Sequence, residues 1–208
     1  NMDLLLFFTS EGKVHWLKAY NVPEASRYAK GMNVVNLLHL GEKEKVSSVL
    51  PVKQFLPDLF LFFATKKGII KKISLEAFSR PRKGGIMAIT LKEGDSVVDV
   101  ILGTTGTQYV ICSKNGRAVK FNEHDIREIG RSGMGVRGIK LRENDEVIGI
   151  DVGDDSSDLL TITEFGYGKR TVISEYRLIK RGGSGVRNIK VTEKNGNVIG
   201  IKTVKDHD

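Results

Sequence analysis

Apolar residues along this chain fall in short runs, each ended by a glycine or a polar turn, and residues 109–152 show the pattern most cleanly. Tyr109 to Ser113 reads as an apolar strand, Lys114-Asn115-Gly116-Arg117 as a turn, and Ala118 to Phe121 as the returning strand. Asn-Gly between two such runs predicts a hairpin whose two central residues both take positive φ. A polar stretch follows from Asn122 to Ser132, then Gly133-Met134-Gly135 and a strand from Val136 to Leu141. Arg142 to Asp145 predicts another turn before a last strand, Val147 to Val152. Helical periodicity is absent; only Pro23 to Ala29 and Glu123 to Glu128 leave room for a single helical turn.

This unit of about four short strands occurs four times. A glycine followed by a short strand stands at Gly31, Gly85, Gly135 and Gly185, with steps of 54, 50 and 50 residues. The early hairpin glycine keeps the same beat at Gly12, Gly68, Gly116 and Gly166, with steps of 56, 48 and 50. Two markers in phase identify tandem modules, and repeated short strands point to blades around an axis, each burying its core against its neighbours. About 50 residues make a poor independent core, which disfavours a string of separate sandwiches. The expected organisation is therefore one all-β repeat domain over residues 1–208, a propeller-like ring of four-stranded blades. About four blades are present, at approximately 1–55, 56–104, 105–155 and 156–208.

An apolar content of 40% suffices for packed cores, and Phe7, Phe8, Phe60, Phe62 and Phe63 lie in strands that read as core. The longest apolar opening, Leu4 to Phe8, is strand-sized, and neither a bilayer-spanning run nor a signal-peptide pattern is present. Cys112 is the single cysteine, read as a buried thiol in a reducing compartment. The net charge is +8, from 33 Lys and Arg against 25 Asp and Glu, and its distribution says more than its sum. The windows 11–30, 66–83, 113–140 and 164–190, at one phase of every repeat, carry +2, +6, +4 and +5, while the remaining residues sum to −9. Recurrent positive charge at one phase traces a stripe along a rim, the footprint of a phosphate-tracking surface. With few aromatics to act as stacking platforms, and no recognition helix or zinc pattern, the sequence favours duplex DNA held by its backbone.

Several motifs look chemical and fail on context. Gly133-Met134-Gly135-Val136-Arg137-Gly138 matches G-x-G-x-x-G, but a strand follows it rather than a helix. Gly168-Lys169-Arg170-Thr171 lacks the serine or threonine and the upstream glycine of a phosphate-binding loop. Asp151 to Asp158 lacks the glycine and glutamate of a calcium loop. His15, His39, His124 and His207 have no ligand spacing with the one cysteine. Tyr20, Tyr28, Tyr109, Tyr167 and Tyr176 include no evident nucleophile, and no catalytic, cofactor or metal site is expected.

The combination of Pro23-Glu24-Ala25-Ser26-Arg27, Gly31, Val35-Asn36-Leu37-Leu38 and Leu50-Pro51-Val52 resembles the first blade of the C-terminal domain of DNA gyrase A subunits. Gly135 to Leu141 and Tyr167 to Thr171 resemble its third and fourth blades. The resemblance implies a six-bladed β-pinwheel with strands exchanged between neighbours, so that the last blade present here is incomplete, and a basic rim that bends and wraps duplex DNA. It implies membership of an ATP-hydrolysing type IIA topoisomerase that introduces negative supercoils. The partners would be the B subunit, together with the rest of the A subunit, in an A2B2 holoenzyme, with ATP and magnesium used elsewhere and a cytoplasmic, nucleoid-associated location. By this resemblance the DNA contacts are Lys13, Lys18, Arg27, Lys30, Lys66, Lys71, Lys72, Arg80, Arg82, Lys83, Arg117, Lys120, Arg131, Arg137, Lys169, Arg170, Lys180, Arg181 and Arg187. The family's Q-R-R-G-G-K-G box is absent: the chain begins at Asn1-Met2-Asp3, inside blade one, and Lys180 to Gly185 is a partial look-alike in the fourth unit's own loop. The matching domain of the topoisomerase IV A-type subunit, which lacks that box, is the near alternative. A protein-interaction propeller and a propeller hydrolase or lyase are the readings from other classes.

Overall fold

Each hairpin glycine seeds a sheet. The computed structural model describes residues 3–205 and contains β1 (Leu4–Thr9), β2 (Lys13–Lys18), β3 (Val46–Val52), β4 (Leu59–Thr65), β5 (Ile69–Ser74), β6 (Ile86–Met87), β7 (Val97–Thr104) and β8 (Gln108–Ser113). It continues with β9 (Arg117–Asn122), β10 (Val136–Arg137), β11 (Val147–Val152), β12 (Asp158–Thr163), β13 (Gly168–Val172), β14 (Val186–Arg187) and β15 (Val198–Val204). Asn1, Met2 and His207 lie outside the described residues. All named pairings are antiparallel, and the sheets run β3-β1-β2-β6, β7-β4-β5-β10, β11-β8-β9-β14 and β15-β12-β13.

The fourth strand of each complete sheet is borrowed. β6 comes from the second repeat but pairs with β2 of the first, β10 of the third repeat pairs with β5, and β14 of the fourth pairs with β9. The pinwheel expected from the resemblance is therefore what the chain forms, and the glycine strands serve the preceding unit rather than their own. The fourth sheet holds three strands among the described residues. At Gly31 the expected strand is replaced by a 3-10 turn, Val34–Asn36, capped by the Asn33 side chain, which accepts from the Val35 N–H at 3.2 Å. Pro23 to Ala29 is irregular, whereas Glu123–Asp125 forms a single 3-10 turn.

The hairpin tips also differ from the two-residue turn expected at Asn115-Gly116. Only the glycine takes positive φ, at +80°, +85°, +74° and +78° for Gly12, Gly68, Gly116 and Gly166, and Asn115 does not. Each glycine N–H closes on the carbonyl three residues back: Thr9 (2.9 Å), Thr65 (2.9 Å), Ser113 (3.0 Å) and Thr163 (3.0 Å). One left-handed residue at the end of a three-residue connection is the bulged hairpin geometry. In the middle units an aspartate from the later turn ties this tip down: Asp95 accepts from the Thr65 hydroxyl at 2.8 Å, and Asp145 from the Ser113 hydroxyl at 2.7 Å.

Packing follows from the alternation of side chains along a strand. On β4, Leu61 and Phe63 face a cluster with Leu6, Phe8, Val14 and Ile73, while Phe60, Phe62 and Ala64 face one with Tyr109, Ile111 and Phe121. Phe8 meets Phe63 edge to face at 5.4 Å between centroids, and Phe62 meets Tyr109 at 4.2 Å. Val110 and Cys112 turn toward a third cluster with Leu159, Ile173 and Tyr176. Every core thus lies between two sheets, and β4 and β8, buried on both faces, read as unbroken apolar runs. Cys112 is a free buried thiol whose pKa burial pushes up.

The sheets fan about β3, β7, β11 and β15, which pack successively against one another. Polar links stitch this seam: the Ser48 hydroxyl donates to Asp99 at 2.9 Å, Asp99 accepts from the Ile150 N–H at 3.3 Å, and Asp151 accepts from the Thr203 N–H at 2.8 Å.

Candidate nucleic-acid interface

The strand exchange builds a recurring corner. At the tip of each complete sheet the hairpin carbonyl of Gly12, Gly68 or Gly116 accepts two N–H groups from the arriving chain: Ala88 and Ile89 (2.8 and 3.2 Å), Gly138 and Ile139 (2.8 and 3.4 Å), Asn188 and Ile189 (2.9 and 3.3 Å). Beside it, the borrowed strand sets Met87 opposite Lys13, Arg137 opposite Ile69, and Arg187 opposite Arg117. Each of the three corners therefore carries at least one cation, and Arg137 and Arg187 are exposed in the same register.

Clefts open at these corners. One of about 420 Å³ is lined by Arg117, Arg142, Arg187 and Lys190 together with the Gly116 tip. Another of about 580 Å³ is lined by Arg82, Arg131, Thr90, Ser132 and the β6 strand. A third, of about 230 Å³, holds Lys92 and Arg137 beside Asp95. Concave basic surface suits a phosphate chain better than an apolar ligand.

Of the residues expected at the interface, Lys18, Arg27, Lys30, Lys66, Arg80, Arg82, Lys83, Arg131, Arg137, Lys169, Arg170, Lys180 and Arg187 are exposed. Some of these hold neighbours as well. Lys66 pairs with Glu146 at 2.8 Å, Arg170 pairs with Asp158, and the Lys169 amine donates to the Asn188 carbonyl at 3.2 Å. Lys13, half-buried, lies 3.7 Å from both Glu11 and Glu44. Arg117 donates from Nε to the Ser184 carbonyl at 2.8 Å and from Nη2 to that of Gly185. Arg181 donates to the Asp125 carbonyl at 2.7 Å and the Arg137 carbonyl at 3.2 Å. These two guanidiniums shape the borrowed loops as much as they offer charge.

Three of the expected contacts are corrected. Lys71, Lys72 and Lys120 are 0%, 8% and 4% exposed and cannot reach a phosphate from where they sit. Lys72 is paired with Glu123 and lies 4.0 Å from the centre of the Phe60 ring; Lys120 is paired with Asp155 and donates to the Ile173 carbonyl at 3.4 Å. Lys71 donates to three carbonyls, and burial pushes its pKa down to about 8. Alternation along the strand places them inward, and their partners come from distant turns. Lys140, Arg142 and Lys190, all exposed, were not among the expected contacts. Lys140 and Lys190 stand five residues after Gly135 and Gly185, so the repeat register would have found them.

The motifs set aside for their context take no ligand-loop form: Gly168 to Thr171 lies within β13, and the other two fall at turns and strand ends. Gly135, with φ +95°, leads into β10, and Asp154 accepts from the N–H and hydroxyl of Ser156 at 3.0 and 2.8 Å, capping its own turn. Among the described residues no helix is long and apolar enough to cross a membrane.

A model of the family described as DNA gyrase C-terminal domain, beta-propeller, matches residues 3–53, 60–102, 108–154 and 157–205. The DNA gyrase A subunit of Aeromonas salmonicida is 48% identical over 121 residues, which is 58% of this chain and 13% of that protein. The chain spans 13% to 16% of the length of the gyrase A subunits it matches. A solved DNA gyrase A C-terminal domain superposes with a TM-score of 0.85 at 29% identity, covering 99% of this chain and 67% of that one. The C-terminal domain of a DNA topoisomerase IV superposes at 0.87 with 24% identity, covering 99% and 64%, a likeness of fold alone.

Proposed function

Because the chain belongs to the family of DNA gyrase C-terminal beta-propeller domains, we propose that it binds duplex DNA along its basic corners and bends it around the fan of sheets. The observation that carries this reading is the threefold corner: Lys13 and Arg117 on hairpin strands, and Arg137 and Arg187 on borrowed strands, fall at one register of successive sheets. A duplex following that register meets cations at intervals set by the blades, and the contacts offset the cost of bending, roughly 1–6 kcal/mol for a 20–30 bp site bent by 40–90°. The contacts fall on phosphates, so affinity depends little on sequence. On this reading no residue of the chain cleaves a strand, and its part is to present wrapped DNA to an enzyme that cuts elsewhere. That enzyme is gyrase, a holoenzyme of A and B subunits that uses ATP and magnesium to introduce negative supercoils in the bacterial cytoplasm.

Salt titration of duplex binding tests the proposal. With about eight phosphates neutralised, log affinity falls against log salt with a slope near −7. A flat dependence, or no binding of a mixed-sequence duplex at low salt, refutes it.

A further inference from the structure

Lys71 is held by carbonyls, whereas its neighbour Lys72 is paired with a carboxylate. The Lys71 amine donates to the carbonyls of Ala88 at 2.6 Å, Arg131 at 2.8 Å and Gly133 at 2.9 Å, so its three donors meet three acceptors. A fully buried ammonium is tolerated only with such complete pairing. Two of the carbonyls belong to the loop that the third repeat sends over the second sheet.

The seat itself recurs. The third residue after a hairpin glycine lies beneath the incoming glycine-rich loop: His15 under Gly85, Lys71 under Arg131 and Gly133, Val119 under Gly185. A Cβ on Gly85 would stand 2.8 Å from the His15 ring, and one on Gly185 would stand 2.9 Å from a Val119 methyl. Val119 demonstrates that a loop closes over an apolar side chain here, so the architecture does not demand a cation. The loop above Lys71 carries the exposed Arg131, which lines the 580 Å³ cleft with Arg82. Thr90 holds the same loop from its other side, with its hydroxyl on the Ser132 carbonyl at 2.8 Å.

We propose that Lys71 is a positioning residue for DNA: from inside the sheet its ammonium fixes the Gly130–Gly133 loop so that Arg131 stands beside Arg82 at the cleft. Lys71 itself never touches the duplex. A loop ordered in advance loses less freedom when phosphate arrives, which is how a buried group strengthens a surface contact. The inference rests on the duplex-binding reading, but part of its test does not.

The test compares Lys71→Met and Lys71→Gln with the native protein and with Val119→Met, the same seat already apolar. Trypsin cleavage after Arg131 is expected to be about tenfold faster or more in the Lys71 variants, as local opening becomes easier, and unchanged in Val119→Met. The salt slope for duplex binding becomes shallower by about one, one phosphate contact being worth about 0.9. Arg131→Ala weakens binding in the native background and adds nothing in Lys71→Met. Native trypsin resistance at Arg131 with an undiminished slope overturns the proposal. Should neither Lys71 variant fold, exchange of the Gly133 amide in the native protein decides, since that N–H closes on the Gly130 carbonyl at 2.9 Å. Protection like that of β5 supports the clamp, and free-loop exchange overturns it. Absence of duplex binding by the native protein refutes the functional reading instead, leaving proteolysis and exchange to judge Lys71.

Discussion

Replacing Gly12 and Gly166 by alanine, one at a time, separates the cost of a strained turn from the cost of losing strand exchange. Both glycines sit at hairpin tips with nearly the same backbone, φ +80° and +78°. A side chain in that conformation costs about 1–2 kcal/mol, partly offset by about 0.4–1 kcal/mol from the restricted unfolded chain. At Gly166 nothing lies within 4 Å of an added Cβ, so Gly166→Ala should lose no more than about 1.6 kcal/mol. At Gly12 the new methyl would sit 2.7 Å from the Ile89 carbonyl oxygen and 2.8 Å from its Cγ2. The borrowed segment has to move, and with it the Ala88 and Ile89 N–H bonds to the Gly12 carbonyl, each worth about 0.5–1.5 kcal/mol. Gly12→Ala should therefore cost about 2–4 kcal/mol in all. Urea unfolding followed by the fluorescence of Trp16 reads the first sheet directly, because its indole N–H is tied to the Phe78 carbonyl at 3.0 Å. A Trp16 midpoint displaced only in Gly12→Ala is the expected result. Equal displacement in both variants would refute the idea that the arriving strand is locked at the tip.

Other expectations follow from the same geometry. Arg187→Glu should weaken duplex binding roughly tenfold for every sequence and make the salt slope shallower by about one, with far-UV circular dichroism unchanged; a change in sequence preference counts against a phosphate contact. Phe63→Ala removes a fully buried ring packed edge to face on Phe8 and should destabilise by about 3–5 kcal/mol in urea unfolding; a loss under 1 kcal/mol would mean the inter-sheet core is loosely packed. Burial, with Asp151 adding to it, holds the Asp99 carboxyl above its ordinary pKa despite its bonds to Ser48, Val100 and Ile150. In the folded protein it therefore takes up a proton earlier as pH falls, so its contribution to stability grows on acidification from neutral pH and is lost as pH rises. Asp99→Asn abolishes that dependence, and thermal melts at pH 7 and in mild acid should show the native protein gaining stability relative to the variant in acid.

The sequence exposed the elements well because local chemistry governs them. Hairpin tips announce themselves by glycine and the inter-sheet cores by apolar runs such as Leu59 to Ala64. Which hairpin a glycine strand joins was not visible, since Val136 and Arg137 carry no mark distinguishing the second sheet from the third. The buried lysines misled for a related reason. A cation on a short strand reads as facing solvent until its partner is known, and the partner of Lys72, Glu123, lies 51 residues away in the next repeat. The Asn115-Gly116 pair suggested two positive φ values, but a loop one residue longer needed only one.

Borrowing strands forward along the chain also sets an order of assembly during synthesis. β2 ends at Lys18, while the strand that covers it begins at Ile86, so the nascent first sheet keeps a raw edge until nearly seventy more residues have been made. At about 5–20 residues per second that is a wait of several seconds, repeated in turn by the second and third sheets. Growth from the ribosome therefore always trails one unfinished edge, and each new unit's glycine strand seals the hairpin before it.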